Sequence, residues 1–558
     1  MFREKTIICA LLLNVLFFLL YIAFGQIRHG SLDDYFMSSI LTGAYGGDYD
    51  VHLYFVNALY GQFLKPFYWL FPKVGWYFIF ELLGTFFSFT FFSFFLIKKF
   101  GLKYGAATST ILLAALTPDF YFQISFTQCA TVYTAAGILS ISLSFPLNKR
   151  RFLFIGGLFL LAGSLMRFEG FLLGLPFLAL LLVTHYHQIK QAPLVTISSI
   201  IVIATLIFCA RVYDRSLYSI GEYKYYADYQ PVRAYFGDGA FYDKESTYDE
   251  LEERGMSGLD FYLLKAWVFY DTEVFQLDSL KPIQKVAQNN LYKPNPQRMF
   301  VAFFLAVSNA LMRCNGLCWV LICFLLMFSS SKKANAYPWI SMALIAICFG
   351  YLLLVNRLIY HVETGVWLYA IISGMPFIQK ESLSRNGFLL KRERLFLFTI
   401  ILLAVLFSYI GITNQVYLKK HFTLIETPEK TKDWQDFLNY TKQHPDDVFL
   451  LSFERYKTLG SLNNPAYKSI EPDSWNNIFS WGYWNIHLPS MRKELKKRGV
   501  GNPIRDIIHK NVYVIEDKGD PFLYLYYPLH YHSSVSVDTI QSFGELKLFK
   551  YRADGDSL

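Results

Sequence analysis

Long apolar blocks alternate with short charged stretches along this chain. A block needs about 20 residues to cross roughly 30 Å of hydrocarbon as a helix, and somewhat fewer when it packs inside a bundle. Blocks near 7–25, 75–97, 105–118, 128–146, 152–166, 169–184, 194–210, 300–328, 337–355, 362–378 and 395–412 predict a mainly α, multi-pass membrane protein with about eleven transmembrane helices. The first block follows Arg3 and Lys5, as a secretory signal would. Its length and the lack of a small-residue cleavage site predict an uncleaved helix instead.

Charge between the blocks assigns sides. Lys98, Lys99 and Lys103 follow the second block, and Lys149, Arg150 and Arg151 the fourth. Lys190 follows the sixth, Lys332 and Lys333 the eighth, and Arg385, Lys391, Arg392 and Arg394 the tenth. Basic loops stay in the cytoplasm, so the N-terminus is expected inside and the alternate loops outside. The outer segments are then 26–74, 118–127, 167–169, 211–299, 356–361 and everything after about 413. Residues 1–412 form the expected membrane domain. Residues 421–558 are expected to form a small extracytoplasmic α/β domain, entered through Thr427-Pro428-Glu429, a capped helix start with Pro in its first turn. "VFLLSF" (448–453), "NVYVIED" (511–517) and "ELKLFKY" (545–551) read as strands, and "IRDIIHK" (504–510) as a helix turn. Helix-like pieces are expected at 247–254 and 258–269. There is no internal repeat and no low-complexity segment.

Composition agrees with this pattern. The 558 residues are 54% hydrophobic, 19% aromatic and only 17% charged, against about 25% charged in soluble domains. A net charge of +9 raises nucleic acid as a partner, but the basic residues are dispersed between apolar blocks and read as topology signal, so none is expected. Seven Cys without CxxC or His-paired spacing predict neither a disulfide framework nor a metal knuckle.

Candidate chemistry concentrates in "GSLDDYFMSSILTGAYGGDYDVH" (30–52), just after the first block. Asp33, Asp34, Asp48 and Asp50 stand there on the expected outer side. Carboxylates at such a mouth can act as a general base toward a hydroxyl, or hold a divalent cation through hard oxygen ligands. They equally suit helix caps and turns. Arg167, Arg357 and His361 lie at outer helix ends, where basic residues are uncommon. A clamp on a lipid-linked phosphate is one role, because Arg offers a planar fork to phosphate oxygens. Interfacial snorkelling, or pairing with Glu169 and Glu363, is the other. "FTQCATVYTAAG" (126–137) suits close helix packing, although Gln123, Thr127 and Gln128 can also line a cavity. His530 and His532 alternate on an expected strand, and no third ligand accompanies them. Asn439-Tyr440-Thr441 is a glycosylation sequon. No Walker loop, GxGxxG, GxSxG or HExxH occurs.

An acidic pair in "LDDYF" after the first helix, many spans and an extracytoplasmic C-terminal domain together resemble the GT-C superfamily of integral membrane glycosyltransferases. The resemblance implies a hexosyltransferase-type enzyme of a bacterial cell membrane. It would transfer a sugar from a polyprenyl-phosphate-linked donor to a cell-surface glycan or lipid-linked acceptor. It also implies an Asp of the first outer loop as catalytic base, with Asp34 ranked before Asp33. Arg357, His361, Arg167, Asp48 and Asp50 would then bind substrate. A divalent cation, Mg or Mn, is optional in that superfamily; Asp34, Asp48 and Asp50 are its candidate ligands here. "VRAYFGD" and the stretch 255–275 are similar to outer loops of related bacterial proteins, without an assigned duty. A polysaccharide polymerase of the Wzy or EpsG type is the nearest rival. A transporter or flippase of lipid-linked sugars is the rival from another class, and it would call for broken, charged mid-membrane helices.

Overall fold

The computed structural model describes residues 2–24, 27–147, 150–191, 193–237, 242–290, 295–327, 329, 331–379, 393–422, 428–462, 465–518 and 521–553. Of the residues used above, Lys149, Arg385, Lys391, Arg392 and Thr427 lie outside that set. The chain is mainly helical with a small sheet near its C-terminus. It begins with α1 (Phe2–Phe24), β1 (Arg28–His29), α2 (Leu32–Leu41), α3 (Ala58–Leu70), α4 (Trp76–Phe100), α5 (Leu102–Tyr121), β2 (Gln123–Ile124) and α6 (Phe126–Leu147). It continues with α7 (Arg150–Met166), α8 (Phe168–Thr184), α9 (Tyr186–Gln191) and α10 (Pro193–Leu217). The segment between the bundle halves holds α11 (Gly221–Gly237), α12 (Lys244–Glu253), α13 (Gly258–Lys265) and α14 (Leu277–Asn289). Next come α15 (Pro296–Leu311), α16 (Cys314–Met327), α17 (Lys332–Leu354) and α18 (Tyr360–Gly374), and then a long helix, Glu393–Phe422.

Five described helices are long and apolar enough to cross a membrane: α1 over Glu4–Ala23, α4, α6 over Phe126–Phe145, α10 and α17. The count becomes six if α15 and α16 are one span. Those two were expected as a single run over 300–328, but they meet at 81°. Other expected blocks, such as 152–166 and 169–184, do form helices, at 17 residues each. Leu12, Leu16, Val183, Leu194, Phe208, Trp339 and Ile347 stay exposed on these helices, an apolar rim suited to lipid rather than water.

Helix α6 is buried throughout its apolar length and is the axis of the bundle. Small residues make this possible, since lipid supplies no hydrophobic drive between helices and backbone approach must supply dispersion instead. A Cβ on Gly163 of α7 would stand 2.3 Å from Thr134 Oγ1 and 2.9 Å from the Ala130 carbonyl. The expected packing role of "FTQCATVYTAAG" is what this geometry displays, and Gln128 is spent on the Asp119 carbonyl at 2.7 Å. Asn14 locks α1 to its neighbours: its amide donates to the Phe86 carbonyl at 2.7 Å and Thr90 Oγ1 at 2.8 Å, and it accepts from the Tyr121 hydroxyl at 2.8 Å.

Near the C-terminus β3 (Val448–Leu451), β4 (Ile478–Ser480), β5 (Val512–Glu516), β6 (Val535–Phe543) and β7 (Leu546–Ala553) form one sheet, ordered β4-β3-β5-β7-β6. Strands β4, β3 and β5 are parallel, while β7 runs antiparallel to β5 and β6 to β7. All four residues of β3 are buried, as suits a central parallel strand covered on both faces. Helix Pro428–Gln443 covers one face through Phe437, whose ring meets that of Phe449 at 5.7 Å. The expected strand holding His530 and His532 is not there. His530 ends the helix Pro521–Tyr531 and bonds Asp260 at 2.8 Å, and His532 follows it at φ +51°. The aromatic spacing of "PFLYLYYPLHY" buries Leu523, Tyr526 and Tyr527 on one helical face, which overrides the apparent alternation.

This sheet region is seated on the end of the bundle that carries α2. Phe36 of α2 stacks on Tyr456 at 4.7 Å and 11°. Backbone bonds run from Asp473 N to the Gly43 carbonyl (3.0 Å), from Trp475 N to the Ala44 carbonyl (2.7 Å) and from Gly75 N to the Tyr467 carbonyl (2.7 Å). The role of small residues in the bundle is testable. Gly163→Leu should lower stability by about 1–3 kcal/mol in thermal unfolding of the detergent-solubilised chain. Gly350→Leu, where a side chain meets open space, should change it by less than about 0.5 kcal/mol. Equal effects at the two positions would defeat the packing argument.

Candidate functional site

Two adjacent carboxylates of α2 define the site. Ser31 caps the helix by accepting from Asp33 N at 3.1 Å, so Asp33 and Asp34 fall in the first turn, where the helix dipole favours anions. Consecutive helical residues diverge by about 100°, so the two side chains face different surroundings.

Asp34 turns into the bundle and is wholly buried. Its Oδ1 accepts from the Tyr77 hydroxyl at 2.8 Å and from Phe126 N at 3.2 Å. Beside it lie His29 and Glu81, at 3% and 0% exposure. His29 Nδ1 is 3.3 Å from Glu81 Oε2, yet among the described residues neither ring nitrogen completes a hydrogen bond, and the Glu81 carboxylate is answered only by Asp34 and Tyr77 beside it. One ligand atom from each of His29, Asp34 and Glu81 fits within 4.8 Å of the other two. Backbone pairing delivers His29 to this point: β1 runs parallel to β2 with His29 opposite Ile124, and Gly30 N donates to the Ile124 carbonyl at 2.6 Å. Burial holds the Asp34 carboxyl well above the ordinary carboxylate range, against the donation from Tyr77. The same dryness pushes the His29 imidazole down to about 3.

Asp33 turns the other way and is only half-buried. Its Oδ1 accepts from the Tyr483 hydroxyl and from Trp484 Nε1, both at 2.9 Å, so the stretch that follows β4 supplies its donors. Burial raises the Asp33 carboxyl, and Tyr483, Arg167, Trp484 and Arg233 oppose that rise. Arg167 precedes α8 with its guanidinium 4.9 Å from the Phe126 ring centre and 5.4 Å from that of Phe55, and it pairs with Glu169 at 3.5 Å. Arg233 of α11 is 1% exposed, covers Trp267 at 4.9 Å and donates from Nε to Gln230 Oε1 at 2.6 Å. Its Nη1 is buried without a partner among the described residues. Aromatic side chains therefore surround the Asp33 carboxylate, and the charges of two guanidinium groups reach it. Apolar ring faces suit the C–H faces of a sugar, and guanidinium forks suit phosphate oxygens.

The remaining candidates separate. The charge of Arg167 reaches His361 as well as Asp33, so these three lie together. Arg357 is exposed in the turn between α17 and α18. The partner of Glu363 is Arg313, at 2.9 and 3.0 Å. Asp48 is exposed, beyond a turn in which Gly43, Gly46 and Gly47 hold φ of +71°, +100° and +91°. Asp50 is taken by His52 Nδ1 at 2.6 Å and by the Tyr223 hydroxyl at 2.7 Å. The glycine turn swings Asp48 and Asp50 away from Asp34, and the expected ligand set of Asp34, Asp48 and Asp50 does not come together among the described residues.

His29, Tyr77, Glu81, Arg233, Tyr483 and Trp484 escaped sequence reasoning. Glu81 carried a signal: it is a lone carboxylate in "FIFELLG", and an ionisable residue within a span implies a purpose. The others depend on chain segments far apart in sequence. Tyr77→Phe should cost about 1–3 kcal/mol in thermal unfolding, because Asp34 loses its hydroxyl donor in a dry interior. Tyr483→Phe should cost less, since Asp33 is half-buried rather than sealed and keeps Trp484; the reverse order would refute this division of the pair. Comparisons with protein-family models, with curated proteins and with solved structures find no match for the chain.

Proposed function

We propose that this chain is a membrane glycosyltransferase of GT-C type, using a polyprenyl-phosphate-linked sugar donor and a glycan or lipid-linked acceptor. The observation that carries the reading is Asp33: a half-buried carboxylate flanked by Arg167 and Arg233 and walled by Phe55, Phe126, Trp267 and Trp484. In this reading the α2 end of the bundle and the C-terminal sheet face the outside of a cell membrane. The N-terminus is cytoplasmic, and about eleven helices span, the shorter ones among them packed inside the bundle. A bacterial plasma membrane suits the carrier chemistry.

Asp33 takes the role of base ahead of Asp34, because Asp34 is sealed from any acceptor while Asp33 keeps access. The acceptor hydroxyl oxygen attacks the anomeric carbon as its proton passes to the Asp33 carboxylate. The bond from that carbon to the carrier phosphate breaks, and the electron pair leaves with the phosphate. Arg167 stabilises that charge, with His361 beside it, so no acid need protonate the leaving group. A single displacement inverts the anomeric centre. An apolar crevice of about 350 Å³, lined by Tyr60, Phe63, Phe80, Phe87, Phe159 and Met166 among others, suits the carrier's isoprenoid chain. A divalent cation, Mg or Mn, is not required by this scheme.

Arg233 supports a second reading. It comes from the long segment between α10 and α15, and a Wzy- or EpsG-type polymerase relies on basic residues in such loops. Product length separates the two, since a transferase adds one sugar and a polymerase joins whole repeat units.

In proteoliposomes given a polyprenyl-phosphate-linked sugar, Asp33→Asn should reduce transfer by about a hundredfold or more at normal expression. Full activity in that variant would end the assignment of Asp33 as base. An alkaline phosphatase reporter fused after residue 558 should be active in cells; an inactive phosphatase with a fluorescent cytoplasmic counterpart would invert the topology.

A further inference from the structure

We infer that His29, Asp34 and Glu81 form a binding site for one divalent transition-metal ion, zinc or manganese, which pins α2 and β1 to α4. The three side chains come from three separate elements and converge with ligand atoms no more than 4.8 Å apart. An ion with bonds of about 2.1 Å holds tetrahedral ligands about 3.4 Å apart and opposed ligands about 4.2 Å apart. The 3.3 Å between His29 Nδ1 and Glu81 Oε2 is close to a tetrahedral edge, and the widest separation, at most 4.8 Å, closes by about 1.4 Å to reach such an edge or by about 0.6 Å to reach an opposed pair.

A second observation points to a ligand. His29 and Glu81 are at least 97% buried; among the described residues neither His29 ring nitrogen has a hydrogen-bond partner, and the Glu81 carboxylate has only the Asp34 and Tyr77 side chains to answer it. A dry protein interior leaves an orphaned polar atom at a cost of about 1–3 kcal/mol each. Phe78 and Tyr35 stand edge-on to the imidazole at 5.0 and 4.9 Å and keep it dry. Two carboxylates with a dication sum to neutrality, which removes the cost of burying the acids unpaired. The donor set selects the class of ion: the imidazole nitrogen suits zinc and the two carboxylates suit manganese, whereas magnesium takes all-oxygen ligands and retains its waters. Tyr77, which donates to Asp34, acts as the outer partner that orients this ligand.

The site is independent of the transfer reaction, because Asp33 points away from it and supplies no ligand. Its role is to hold α2, and therefore Asp33, in place. The test uses the full-length chain purified in detergent without chelator, with bound metal measured by inductively coupled plasma mass spectrometry. About one zinc or manganese per chain is expected, with at least a tenfold loss in His29→Ala and Glu81→Gln and none in Asp50→Asn. Stripping the wild-type chain with a chelator should lower its thermal midpoint, and adding Zn²⁺ or Mn²⁺ back should restore it. That arm decides the matter even if both variants fail to fold. A wild-type chain that holds no metal and shows no thermal shift with either ion overturns the site, as does His29→Ala binding as much metal as the wild type. A loss of transferase activity in Asp33→Asn with metal content intact would leave the site standing and bear on the base alone.

Discussion

A carboxylate taken out of water must be met by donors, and the first turn of α2 imposes that demand twice in succession. Desolvating an ion costs several kcal/mol even after relaxation, so the surroundings of Asp33 and Asp34 cannot be incidental. The bundle answers one acid with Tyr77 and Phe126 N, and the stretch after β4 answers the other with Tyr483 and Trp484. One dipeptide thereby ties the membrane helices to a sheet more than 400 residues later in the chain. Movement of either body away from α2 would strand a buried or half-buried anion. The joint is specified by chemistry more than by contact area.

The sequence made some of this legible because its signals are local. Apolar block length located the main helices, and short apolar runs made β3 and β5 readable, all of β3 and all of β5 but Tyr513 being buried. Charge clustering singled out "LDDYF" as the place to look. What stayed hidden depends on distant segments. The partner of Glu363 turned out to be Arg313 across a helix break that block length could not reveal, because an apolar run looks the same whether straight or bent by 81°. His530 was misplaced because period-two alternation over three residues is weak evidence against a buried helical face. Asp48 and Asp50 were grouped with Asp34 by nearness in sequence, and three glycines with positive φ undo that nearness. Glu81 alone was within reach: an acid inside an apolar block is costly enough to demand a reason.

The two sides of α2 also differ in what they permit. On the Asp34 side everything is dry and fixed, and polar atoms left over there call for something that stays. On the Asp33 side rings and guanidinium groups gather, and Arg233 keeps a buried Nη1 without a protein partner among the described residues. A guanidinium buried that deeply has lost its hydration, and stacking on Trp267 and one bond to Gln230 return only part of it. An anion arriving there would find a donor already desolvated and oriented. Preorganisation of this kind favours charge that develops during a reaction over charge already solvated in water. A rigid acid behind and an unsatisfied cation in front suit the proposed transfer, in which Arg167 meets the leaving phosphate and Arg233 offers a second donor to anionic oxygens. It is a poor arrangement for a surface whose only task is adhesion, because there the same orphaned donor would weaken binding between folded bodies and gain nothing.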